Sequence, residues 1–96
     1  MSELEEIKEK LKEHKPELEE KYNISEIGIF GSYVREDHDE ASDIDILVEF
    51  SEPIGWEIVD LKEELEELLN KSVDLVTKDA LKPRLKSNIM DDVVYA

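Results

Sequence analysis

Gly31 and Ser32, followed after ten intervening residues by Asp43 and Asp45, are the residues of this sequence whose types and spacing could do chemistry. Two carboxylates one residue apart on an extended segment point to the same side. Side by side they repel, which either raises a pKa or requires a cation between them. Magnesium suits the position, because it prefers oxygen ligands and keeps places open for water and phosphate oxygens. In two-ion sites it holds the attacking and leaving oxygens of a phosphoryl displacement. The Gly-Ser pair supplies the complementary half: Gly31 lets the backbone approach a ligand closely, Ser32 offers a hydroxyl, and the amides there can face a phosphate. Arg35 falls one turn after Ser32. It either takes a phosphate in bidentate fashion, pairs with a carboxylate of the site, or is a plain surface arginine.

Two strands and a turn must hold these residues in place. Ile24 to Phe30 reads as a strand with Ile27 and Ile29 on one face, and Ser32 to Glu36 as a short helix after it. In the strand ending at Phe50, Asp43 and Asp45 share a face with Leu47 and Glu49, while Ile44, Ile46, Val48 and Phe50 form a core face. The acidic run Glu36 to Glu40, with His38 inside it, has no periodicity and reads as a flexible loop. His38 has nearness to the site in its favour as a base or ligand, and an ordinary loop position against it.

Helices account for most of the rest. Ser2 and Glu5 form a capping box, and Leu4, Ile7 and Leu11 recur at helical spacing, continued by Leu18 and Tyr22. Pro16 should break or kink that helix near His14 and Lys15. After a turn at Ser51 to Gly55, Trp56 to Leu69 gives an amphipathic helix with Ile58, Leu61, Leu65 and Leu68 on its buried face and Asn70 as C-terminal cap. Trp56, where that helix begins, either stacks on an adenine or a partner side chain, or simply packs. Val73 to Thr77 is a third strand in which Asp74 alternates away from its apolar neighbours. Such an acid is costly to bury without a cation or donor. Pro83 starts a last helix, and Leu81, Leu85, Ile89 and Val93 recur at spacings of four. Lys82, Arg84 and Lys86 form a basic cluster there, suited to a triphosphate or to an acidic patch on another chain.

Gly31, Ser32, Asp43 and Asp45, with their ten-residue gap, resemble the signature of the nucleotidyltransferase superfamily that includes DNA polymerase beta. The short chain is most similar to the minimal nucleotidyltransferases (MNT), partners of HEPN-domain ribonuclease toxins. The resemblance implies an α/β fold of the α+β type: a small mixed three-stranded sheet with helices packed on one face, in the order α-β-α-β-α-β-α. It also implies that Asp74 is a third carboxylate, acting as general base and joining Asp43 and Asp45 as a metal ligand. Gly31, Ser32 and Arg35 then bind the nucleotide, ATP is the donor, and two Mg2+ ions assist. The implied acceptor is a hydroxyl of a HEPN toxin, so the chain would be the antitoxin of a toxin-antitoxin pair. Members commonly carry glycine after the arginine, where this chain has Glu36.

Length and charge narrow the alternatives. The 96 residues make one domain, 1-96, too small to include a separate substrate domain. With 27 Asp and Glu against 12 Lys and Arg the formal charge is −15, which argues against a grip on a nucleic-acid backbone and suits a basic protein partner or mere solubility. No cysteine is present for a disulfide or thiolate metal site, and neither a signal peptide nor a membrane span is evident, so a cytoplasmic protein is expected. Two other functions fit the same residues: a non-catalytic acidic antitoxin that neutralises by binding, and nucleotidyl transfer to a small molecule.

Overall fold

A computed structural model describes residues 3–96. Helix α1 (Glu3–Tyr22) leads into strand β1 (Ile24–Phe30), a one-turn helix α2 (Ser32–Arg35), strand β2 (Ile44–Phe50), helix α3 (Glu57–Leu69), strand β3 (Val73–Thr77), a 3₁₀ turn at Lys78–Ala80, helix α4 (Pro83–Asp92) and a two-residue strand β4 (Val94–Tyr95). The sheet is mixed and ordered β3-β2-β1-β4, with β1 antiparallel to β2 and to β4 and β2 parallel to β3. The α+β architecture is as expected, with four strands where the sequence suggested three. The extra strand spans two residues, too few for any periodic signal.

The core forms because the apolar stripes of α1 and α3 meet one face of this sheet. Ile7, Leu11, Leu18 and Tyr22 of α1 and Leu61, Leu65 and Leu69 of α3 are buried against Ile27, Ile29, Ile44, Ile46 and Val48, with Tyr33 of α2 among them. On α3 the buried stripe runs through Leu69, and Leu68 is only partly buried. Leu47, on the opposite face, is also buried. There the segment leaving α4 crosses the sheet: a Cβ at Gly28 would stand 2.7 Å from Val93 Cγ1 and 3.1 Å from the Val94 carbonyl oxygen. Gly28 is the residue that lets the C-terminal segment come close.

Helix α1 runs unbroken through Pro16. A mid-helix proline costs about 3 kcal/mol relative to alanine, yet burial of apolar side chains on both sides of it, Leu11 before and Leu18 after, outweighs that penalty. The residue proposed to cap this helix, Ser2, lies outside the described residues. At the other end Asn23 adopts a left-handed conformation with φ 56°, and its carbonyl accepts from Ser51 N at 2.7 Å. Asn70 closes α3 in the same way, as expected.

Candidate active site

The register of three strands decides where the acidic residues go. Phe30 pairs with Asp45, and Asp45 with Asp74, so the two carboxylates are cross-strand neighbours on one face of the sheet. Asp43 lies two residues before Asp45 and shares its side. That face is opposite to the main core, whose side of β2 carries Ile44, Ile46 and Val48. Asp43 and Asp74 are exposed, and Asp45 is partly buried.

Partial burial pushes the Asp45 carboxyl above its ordinary value, and the neighbouring Asp74 and Asp43 carboxylates add to the rise. The Arg35 guanidinium pulls the other way without cancelling it. Three acids thus crowd one patch in a way that a cation would relieve. Among the described residues no group of three or more His, Cys, Asp or Glu side chains is arranged to hold a metal ion by itself. An all-oxygen set that falls short of a closed cage fits a magnesium ion, which takes one or two carboxylates and completes its shell with water and substrate phosphates.

The Gly-Ser turn packs directly against this patch. Gly31 has φ 79°, a conformation side chains rarely adopt, and any Cβ there would collide with the Asp45 carboxylate. Glycine is thus required twice over, for backbone shape and for the approach to Asp45. The Gly31 carbonyl accepts from Val34 N and Arg35 N, both at 3.1 Å, which turns the chain into α2. With four residues α2 has almost no macrodipole, so what it can offer a phosphate is its first amides and the Ser32 hydroxyl.

Arg35 leaves α2 toward solvent, half exposed, and donates to Asp37 at 3.4 Å and to Asp92 of α4 at 3.2 Å. Both carboxylates raise its pKa. Neither partner is one of the three site carboxylates: Arg35 is a solvent-exposed arginine paired with surface acids, and Asp92 is a partner that no local spacing could have revealed. Tyr33 also escaped the sequence reading. Fully buried, it donates to the Ser42 carbonyl at 3.4 Å and stacks on His38 with ring centroids 4.0 Å apart, so one side chain ties the Gly-Ser turn to the segment entering β2. The only sequence signal for it was an aromatic directly after Gly-Ser.

The loop expected to be flexible has internal order. Asp39 Oδ1 accepts from Ala41 N at 2.9 Å and from Ser42 Oγ at 3.3 Å, and Ser42 Oγ in turn accepts from Asp39 N at 2.9 Å. His38 packs on Tyr33, with Nε2 3.7 Å from Glu3 Oε2, rather than joining the acids. His14 is on the α1 surface beside the Lys10 carbonyl. Trp56 is 88% exposed. It follows β2 at the Phe50 end, remote from Asp45, which removes it as a platform for an adenine at the acidic patch. Lys82, Arg84 and Lys86 are exposed at the start of α4, whereas the end of that helix is what meets Arg35. Their placement gives no support to a role on a triphosphate.

A carboxylate patch on one sheet face beside a glycine-serine turn, within an α1-to-β4 order of this kind, defines a nucleotidyltransferase. The chain belongs to the nucleotidyltransferase domain family, whose model matches residues 11–96. It is 48% identical over 93 residues to the protein adenylyltransferase MntA of Thermococcus cleftensis, a match covering 96% of this chain and 94% of that one. A candidate minimal nucleotidyltransferase of known structure superposes with a TM-score of 0.80 at 32% identity, covering 98% of this chain and 95% of the other. The MNT antitoxin complex with a tri-AMPylated HEPN toxin of Shewanella oneidensis gives a TM-score of 0.60 at 22% identity over 97% and 67% of the chains, a likeness of fold.

Proposed function

We propose that this single 1-96 domain transfers AMP from ATP to a hydroxyl of a HEPN toxin and acts as its antitoxin. The observation that carries the reading is the cross-strand pairing of Asp45 with Asp74 beside Gly31, which gathers carboxylate oxygens at the one place where the backbone can approach them. The acceptor class is supported by the names of relatives, a protein adenylyltransferase in one case and a complex with an AMPylated HEPN toxin in another.

Asp43 and Asp45, with Asp74, would hold Mg2+, which when bound offsets the charge that builds on the phosphoryl oxygens. Gly31 and the amides after it leave room for the β and γ phosphates and donate to them, with the Ser32 hydroxyl alongside. Arg35 exchanges Asp37 and Asp92 for phosphate oxygens, a substitution made easy because both of its present pairs are solvent-exposed and individually weak. Asp74, exposed on the edge strand, accepts the proton of the incoming hydroxyl. Its oxygen forms a bond to the α-phosphorus, the bond from that phosphorus to the β-bridging oxygen breaks, and pyrophosphate leaves. The negative charge that develops on the phosphoryl oxygens would be repelled by the carboxylates themselves, so it is the cation they would hold, with the Gly31–Ser32 amides and Arg35, that would offset it.

The test is mass spectrometry of a purified HEPN toxin after incubation with the chain, ATP and Mg2+. The reading expects the toxin to gain one or more AMP groups with the parent chain and none with Asp43→Ala plus Asp45→Ala. Equal neutralisation of the toxin by that double variant would mean that binding, not catalysis, is the mechanism.

A further inference from the structure

The helix-covered side of the sheet carries an apolar groove between α3 and β3 that the nucleotide chemistry does not use. Ile58, Val59 and Lys62 of α3 face Leu75 of β3 across a recess of about 300 Å³. A second recess of about 280 Å³, lined by Phe50, Ile54 and Thr77 among others, continues it, because Ile58 borders both. Val59, which lines the first recess, is 48% exposed, and Trp56, one helical turn before it, is 88% exposed. Large exposed apolar side chains beside a groove mark an interaction site more often than a bare surface, and tryptophan is the residue type that most often carries binding energy. The groove also borders β3, a sheet edge paired on one side to β2.

Charge decides what fits there. Glu52 and Asp79 line the second recess, and Glu57 and Asp60 lie in the first turn of α3. A second copy of this chain would bring the same acidic rim against itself, with −15 facing −15. We infer that the groove between α3 and β3, with Val59 in its lining and the exposed Trp56 one helical turn before it, docks a partner-protein segment whose apolar side chains are flanked by lysine or arginine. What the docking achieves rests on the protein-acceptor reading above: Asp45 and Asp74 lie on one face of the sheet, while the groove lies against the other. It borders Leu75, which directly follows Asp74, and extends to Phe50 and Thr77 at the ends of β2 and β3. A partner anchored in the groove could then reach around the β3 edge and present a hydroxyl to the acidic patch.

The variant Trp56→Ala with Val59→Lys tests this, since both positions are exposed and the new lysine repels a basic segment. The probe is a purified HEPN toxin, with complex formation followed by calorimetry and AMP transfer followed separately. The variant is expected to melt like the parent and to take up ATP with Mg2+ as the parent does, while its Kd for the toxin rises roughly 100-fold. Toxin affinity close to that of the parent would overturn the inference, as would failure of the parent to bind toxin, or a dimer of the parent that the variant abolishes. A parent that binds toxin through the groove but transfers no AMP would leave the docking surface standing and remove the catalytic reading. Undiminished transfer by the groove variant at limiting toxin would do the reverse.

Discussion

Asp45 is held at a cost. A half-buried carboxyl beside two other acids prefers its protonated form more strongly in the folded chain than in the unfolded one. For a group raised in this way, the stabilising contribution is complete below the unfolded value and is lost as pH rises through the folded value. At neutral pH the unliganded chain therefore carries the penalty in full. Asp45→Asn keeps the shape and removes the charge, so it is expected to melt a few degrees above the parent at pH 7, with the difference closing near pH 3, in thermal unfolding followed by circular dichroism. The same variant should lose metal-dependent ATP uptake. Glu36 is a second strained residue, with φ 61° at the end of α2. A left-handed conformation costs a non-glycine residue roughly 1–2 kcal/mol, a strain that glycine at this position would not carry. Glu36→Gly should raise the melting temperature modestly, since the gain in the native state is partly offset by the extra freedom of glycine in the unfolded chain. A lower melting temperature would show that the Glu36 side chain is itself stabilising. The Gly-Ser and Asp-x-Asp spacing revealed where chemistry could sit, because both motifs act through local backbone geometry. The Arg35–Asp92 pair was hidden because its partners are far apart in sequence.

Among the elements, the strands were legible because alternation and burial agree along each of them. The pairing of Asp45 with Asp74 was not, since register between β2 and β3 depends on α3 as a spacer of set length. Strand β4 and the crossing of Val93 over Gly28 were invisible for a similar reason: a two-residue strand leaves no pattern, and the glycine that admits it looks like any other in a strand. Helix α1 erred in the opposite direction, because the local rule for the residue before proline is weaker than the burial of Leu11 and Leu18. Pro16 is exposed. Pro16→Ala restores a backbone donor within a helix that is already formed. It is expected to stabilise the chain by about 1 kcal/mol or more, read as an upward shift of the urea midpoint at unchanged slope. A downward shift would mean that Pro16 itself helps to keep both halves of α1 on the core.

At the scale of the whole molecule, 96 residues with a charge of −15 carry an acidic patch on one face of a mixed sheet and an apolar groove between α3 and β3 on the other. No described helix is long and apolar enough to cross a membrane. Family membership establishes a nucleotidyltransferase, and the claim on which the mechanism rests is that Asp43, Asp45 and Asp74 form with Mg2+ one nucleotide site beside Gly31. Isothermal titration of ATP into the chain, with and without Mg2+ and repeated on Asp43→Ala plus Asp45→Ala, addresses that claim most directly. Saturable uptake that requires Mg2+ and vanishes in the double variant is the predicted result. Uptake that is indifferent to the metal, or that survives loss of both aspartates, would contradict it.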